Sequence, residues 1–321
     1  MTDDRRSEPA AKRPSRPSRG GDRAREVALR RRRAAALTVI AAVAMIAGLI
    51  VGAVGAGGHS HHPAVASKEV GFLGKLKRLA GTGSRSFAAE QRAQDTAAIN
   101  RTLSYTPAVM HAGTQHRELA LTFDDGPGPY TLRLLRVLRR MHTPATFFEV
   151  GVGLQYFHAG TSAIARLGYP IGDHTWSHPD MAQLSRAQQQ AQLLRQSHGI
   201  ERYGASFPRM FRPPYGDWNA TTLQLLRSDH MLMVLWSLDT DDWQLPGVTT
   251  IVQRVLHGAK PGTIVLMHDA GGNRSETIAA LPKVIRGLRA RGYKLVTVPQ
   301  LLHDNPAPAH QNFSLLDGAG G

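Results

Sequence analysis

The stretch "ELALTFDDGPGPYTLRLLRVLRRM", Glu118 to Met141, decides the fold. Its first six residues form a short apolar, partly β-branched run of strand length. "DDGPGP" then interrupts the backbone, since Asp, Gly and Pro each favour turns. Apolar residues return at Leu132, Leu134, Leu135 and Leu138, the spacing of one helical face. The stretch therefore predicts strand, turn, helix. The same texture continues to about residue 300. Strands are expected near Glu118–Phe123, Ala145–Val150, Pro170–His174, Met210–Arg212, Met231–Ser237, Thr263–Met267 and Lys294–Val298. Helices are expected near Tyr130–Arg140, Ser185–Tyr203, Thr221–Ser228, Thr249–Val255 and Ser275–Arg291. This alternation predicts an α/β fold with parallel strands and helical crossovers, either an open doubly wound sheet or a barrel. No glycine-rich phosphate loop follows the first strand, which counts against a nucleotide-binding sheet.

The remaining chain divides by composition. Of 321 residues 42% are hydrophobic, enough for one large domain with appendages. The net charge is +15, and residues 1–33 hold 12 Arg or Lys against 5 Asp or Glu. No aromatic residue interleaves with that basic tail, so no nucleic-acid partner is expected. Residues 34–58 carry no charge; as a helix they would extend about 37 Å. That exceeds the ~30 Å hydrocarbon core of a bilayer. Arg30 to Arg33 precede the run, so the positive-inside rule puts the N-terminus in the cytoplasm and the rest outside. The expectation is a single-pass signal anchor in the cell membrane. A cleaved signal peptide, with secretion, is the alternative, although its apolar region is normally only ~7–15 residues. Residues 59–115 read as a linker with helix-forming composition at Phe87–Tyr105, residues 116–303 as the domain of alternating strands and helices, and 304–321 as a tail. There is no cysteine. Any metal must then be held by imidazole and carboxylate.

Functional groups of parallel α/β folds gather at the carboxyl ends of the strands. There the chain places Asp124 and Asp125, then "HTWSH" (His174 to His178), "FRPPYG" with Arg212 and Tyr215, "DTDDW" (Asp239 to Trp243), and "LMHD" with His268 and Asp269. Each has a plain structural explanation alone: a turn, a hydrogen-bonded pair, a salt bridge. Together they suggest a site. On a helical turn His174 and His178 would share a face, about 5–6 Å apart at Cβ. Two imidazoles with one carboxylate leave coordination positions open, as a catalytic metal requires.

"TFDDGP", "HTWSH", "RPPYG", "DTDDW" and "LMHD", in this order, resemble the five motifs of the polysaccharide deacetylases, carbohydrate esterase family four. The resemblance covers about residues 116–300. It implies a distorted (β/α) barrel of about seven parallel strands. It also implies metal-dependent hydrolytic removal of acetyl groups from a sugar polymer. By position, Asp125, His174 and His178 would hold a divalent metal, Zn2+ first, with Co2+ or Ni2+ acceptable. Asp124 would be the general base toward a water whose pKa zinc can lower from ~15.7 to about 7. Arg212 would orient Asp124 and lower its pKa, and the backbone N–H of Tyr215 would stabilise the oxyanion. His268 would be the general acid, oriented by Asp242. Trp243 and Leu266 would line the pocket. The expected substrate is N-acetylglucosamine in extracellular polysaccharide: peptidoglycan, because the anchor holds the domain near the wall, or chitin-type oligomers. A non-catalytic glycan-binding protein on the same fold is the rival, disfavoured by the complete set of base, acid and ligands.

Overall fold

The computed structural model describes residues 89–313. The basic tail 1–33, the proposed span 34–58, the first part of the linker and the end of the tail lie outside them. No helix among the described residues is long and apolar enough to cross a membrane.

Helix α1 covers residues 89–103. It is followed by β1 (Ala108–Val109), β2 (Glu118–Asp124), α2 (Thr131–Arg140), β3 (Thr146–Glu149), α3 (Gly151–Arg166), β4 (Ile171–Asp173) and α4 (Arg186–Arg202). Next come β5 (Met210–Phe211), α5 (Ala220–Ser228), β6 (Leu232–Val234), β7 (Leu238–Asp239), α6 (Val248–Gly258), β8 (Ile264–His268), α7 (Ser275–Ala290), β9 (Lys294–Val296) and α8 (Val298–Asp304). All strand pairings are parallel. Seven strands form the path β6-β5-β4-β3-β2-β8-β7, with β1 added beside β6 and β9 beside β2.

That path has to curl. β6 and β7 stand at its two ends, yet only Leu235, Trp236 and Ser237 separate them in the chain. Four residue steps reach at most ~14 Å. Six flat interstrand spacings would need about 29 Å. The parallel sheet therefore wraps toward itself, as the barrel expectation required and the open-sheet alternative did not.

Side-chain alternation sorts two cores. From β2, Leu119, Leu121 and Phe123 face the surrounding helices with Leu134, Leu138, Leu281 and Ile285. Ala120 faces the interior with Phe148, Leu232, Val234, Ile264 and Leu266. Thr122 and Asp124 share the Ala120 side by the two-residue period. Both faces of β2 are buried, as for a strand flanked on two sides.

The sequence placed residues 59–115 in a linker. Their described part instead contributes to the core: Ile99, Ala108, Val109 and Met110 join the inner cluster. At the other end Asn305 is buried, donating to Glu118 Oε2 (2.9 Å) and accepting from His116 N (2.6 Å). Helix α3 was not foreseen, because "GVGLQYFHAG" carries three glycines in ten residues. Burial of Leu154, Gly160 and Ile164 supplies the stability that propensity lacks. Its first amides donate to Thr175 O (3.1 Å) and Trp176 O (2.8 Å), which ties the helix start to the histidine-bearing loop.

Candidate active site

Strand register brings the motifs to one level. Asp124 pairs with Phe148 on one side and His268 on the other. Asp173 pairs with Phe211, so His174 and Arg212 follow side by side. The backbone is strained there. Asp125, Thr175, His178, Tyr215, Asp241 and Leu245 all have positive φ, from 48° to 72°. Such strain persists only where the surroundings enforce it, and it collects at functional sites.

Asp124 is 3% exposed. Its Oδ1 accepts from Arg212 Nη1 at 2.7 Å, and its Oδ2 lies 3.7 Å from His174 Nε2. Arg212 is wholly buried and uses its whole fork: Nε to Val234 O (2.9 Å), Nη1 also to Thr122 Oγ1 (2.8 Å), Nη2 to Leu235 O (3.1 Å). The guanidinium stacks on Phe148 at 4.1 Å. The ion pair matches the sequence expectation, but its effect on acidity does not dominate. Burial, acting against Arg212 and His268, raises Asp124 to about 6. A carboxylate raised in this way could accept a proton close to neutrality.

His174, His178 and Asp125 offer one ligand atom each within 4.8 Å of one another. The distances to Asp125 Oδ1 are 3.7 Å from His174 Nε2 and 3.3 Å from His178 Nε2. His174 Nδ1 lies 2.6 Å from Arg212 O. A carbonyl only accepts, so Nδ1 carries the proton and Nε2 presents a lone pair. Burial pushes His174 down to about 3 and also lowers His178, keeping both imidazoles neutral. Asp125 Oδ1 is buried without a hydrogen-bond partner. A buried, partnerless carboxylate oxygen facing two imidazole nitrogens is costly alone and suits a cation. The residues therefore fit a divalent metal. The helical-turn expectation for the histidines is corrected. Residues 174–180 form no helix, and the rings converge through a bend at Thr175 (φ 69°) and His178 (φ 58°). The rings lie 4.9 Å apart at 74°.

His268 Nδ1 contacts Asp242 Oδ1 at 2.7 Å. Asp242 is wholly buried, and its Oδ2 accepts from His268 N (2.9 Å) and Thr277 Oγ1 (2.6 Å). Burial disfavours the imidazolium, but Asp242 overrides it and His268 is raised to about 9. The other two carboxylates of "DTDDW" have separate duties: Asp239 accepts from Asp241 N, and Asp241 pairs with Arg254. Tyr215 sits at φ 63° in the short turn Pro214–Gly216, its ring 4.7 Å from that of His178. Trp243 is half-buried in the turn Asp242–Gln244. Leu266, 4% exposed, belongs to the inner core two residues before His268.

Three nearby groups escaped sequence reasoning. Asp269 ends "LMHD" but the sequence assigned it no role; its Oδ2 accepts from Thr131 Oγ1. Asp173 accepts from Thr175 N (2.7 Å) and Ser197 Oγ (2.8 Å), which fixes the start of the histidine loop. Arg274, 3% exposed, binds only backbone carbonyls near the site. "HTWSH" and "LMHD" flagged the neighbourhood of the first two; no spacing signalled the third.

The Asp124–Arg212 pair, the His268–Asp242 pair and the Asp125–His174–His178 trio thus gather at neighbouring strand ends. Residues 111–234 match the polysaccharide deacetylase family model. A peptidoglycan-N-acetylglucosamine deacetylase of Bacillus cereus is 38% identical over 187 residues, covering 57% of this chain and 87% of that protein. A chitooligosaccharide deacetylase of Sinorhizobium fredii is 34% identical, covering 62% of this chain and 98% of the relative. A solved peptidoglycan N-acetylglucosamine deacetylase superposes with TM-score 0.60 at 30% identity, covering 65% of this chain and 97% of that one. The chain belongs to the polysaccharide deacetylases, carbohydrate esterase family four, and is a hydrolase of that class. A pseudoenzyme of the family from Bacillus anthracis also superposes, with TM-score 0.58 at 29% identity over 61% of this chain and 69% of that one. Within this family, activity therefore has to be argued from the site residues.

Proposed function

We propose that this chain removes acetyl groups from N-acetylglucosamine residues of an extracellular polysaccharide, peptidoglycan first and chitin-type oligomers second. Asp125, His174 and His178 hold a divalent cation, zinc before cobalt or nickel. When bound, the cation supplies Lewis-acid polarisation of the acetyl carbonyl and lowers the pKa of a coordinated water. Asp124 Oδ2 takes the proton from the attacking water while Arg212 holds Oδ1. The N–H of Tyr215 donates to the developing oxyanion; one such donor is typically worth ~10²–10³ in rate. His268, its Nδ1 held by Asp242, gives its Nε2 proton to the departing amine. Water and amide become acetate and amine. Trp243 and Leu266 bound the acetyl slot.

One observation carries this reading: the orphaned Asp125 Oδ1 faces two neutral imidazoles beside intact Asp124–Arg212 and His268–Asp242 pairs. The same observation favours an enzyme over a glycan-binding protein, for binding has no use for a base and an acid so placed. Residues 34–58 would hold the domain outside the cell membrane, near its wall substrate. The test is acetate release from peptidoglycan and chitooligosaccharides, with and without chelator. Release that stops in chelator and returns with zinc supports the proposal. Glycan binding without acetate release under zinc, cobalt and nickel would overturn it.

A further inference from the structure

The loop after β8 closes around a buried cation of the protein's own. Arg274 Nε donates to Ala270 O (2.6 Å), Nη2 to Gly271 O (2.8 Å) and Nη1 to Asn273 O (3.1 Å). All its hydrogen bonds go to this one loop, and it forms no ion pair with a carboxylate among the described residues. Residues 270–273 are thereby wound round the guanidinium. The outside of the winding presses on the catalytic turn. Gly271 has φ 70°, and a Cβ there would overlap Asp125 Oδ2. A Cβ on Gly128 would lie 2.5 Å from that of Ala270. Asn273 Oδ1 accepts from Tyr130 OH (3.0 Å), which ties the loop to the far side of the same turn. Asp125 thus has one oxygen turned to the histidines and the other backed by Gly271.

We propose that Arg274 is a positioning residue for the metal site: by clasping the 270–273 carbonyls it sets the loop against Asp125 and fixes the aim of the ligand oxygen Oδ1. The clasp depends on the planar fork. Lysine, a single ammonium on a flexible stem, cannot hold three divergent carbonyls in this way. The charge acts in both directions, since it favours the ionised carboxylates of Asp125 and Asp242 but repels a bound cation. The geometry is what this arginine contributes.

The inference rests on the Asp125–His174–His178 metal reading. Its test is zinc affinity of the full chain in detergent, measured by competition with a chromophoric chelator, for wild type, Arg274→Lys, Arg274→Met and Gly271→Ala. Outer partners of metal ligands typically alter affinity by roughly 10- to 100-fold. Both Arg274 variants are expected to lose that much, with kcat reduced and KM for glycan unchanged. Gly271→Ala leaves the clasp residue in place but intrudes on Asp125, and is expected to weaken zinc similarly. It decides the matter if the arginine variants do not fold. Folded variants binding zinc as wild type does would overturn the inference alone. So would wild-type affinity in Arg274→Lys with loss in Arg274→Met, which would assign the role to charge. A wild type that binds no zinc would overturn the metal reading and this inference with it.

Discussion

The Asp242→Asn substitution probes the proposed general acid, His268. His268 is raised to about 9 because Asp242 outweighs the effect of burial. Removing the carboxylate charge leaves burial opposed only by Asp125, so the imidazole should fall toward its ordinary 6.5. Near pH 8, a group of pKa ~9 is about 90% protonated and one of pKa ~6.5 about 3%. The acid is therefore about 30-fold scarcer in the variant there, and hardly scarcer near pH 6. Profiles of kcat/KM for acetate release should show the alkaline limb moving from near 9 toward 6.5, with activity largely recovered at the acid end. A bound cation would lower both proteins' limbs together and leave the difference standing. Stability shifts with the same sign. A raised imidazole stabilises the fold fully below 6.5, and the contribution is lost as pH rises through about 9. The melting difference between wild type and variant should therefore narrow over that interval. An alkaline limb that stays in place would refute the assignment of Asp242 as the group setting His268.

Further outcomes follow from other parts of the site. Arg212→Met leaves Asp124 buried without its counter-charge; a loss of about 3–5 kcal/mol in denaturant unfolding is expected, and the acid limb of the rate profile should rise above about 6. An unchanged midpoint would contradict the ion pair's role. Glu149, wholly buried, is raised by desolvation to about 8 from 4.5. Its cost is absent below 4.5 and complete above about 8. Glu149→Gln, able to keep the Thr161 hydrogen bond, should raise the melting temperature above pH 8 and do little at pH 4; equal effects at both would refute this. Asp125→Ala should abolish acetate release and zinc retention together while leaving glycan binding measurable by calorimetry. Full activity in that variant, or in chelator, would defeat the metal role.

Much of the fold was legible because β2, β8 and α2 combine clear periodicity with burial. The elements that escaped notice show what periodicity misses. Helix α3 is glycine-rich and held by tertiary contacts, including the amides it gives to Thr175 and Trp176. β1 and β7 have two residues each, too short to carry a period. Residues 98–110 looked like linker because their apolar positions pair with strands far along the chain, such as Val109 with Val234. The site motifs were readable because each lies at a strand end. Their geometry was not: His174 and His178 meet through positive-φ residues rather than a helix, and burial rather than Arg212 sets the proton affinity of Asp124. Arg274 was invisible because its partners are carbonyls, which no side-chain pattern encodes.

The central claim is that Asp125, His174 and His178 grip one cation, and anomalous diffraction at the zinc edge from a zinc-soaked crystal tests it most directly. The account predicts a single strong peak among Asp125 Oδ1 and the two Nε2 atoms, at about 2.0–2.2 Å from each. A peak elsewhere, or none beside Asp125 in a crystal whose histidines are free to bind, would contradict it.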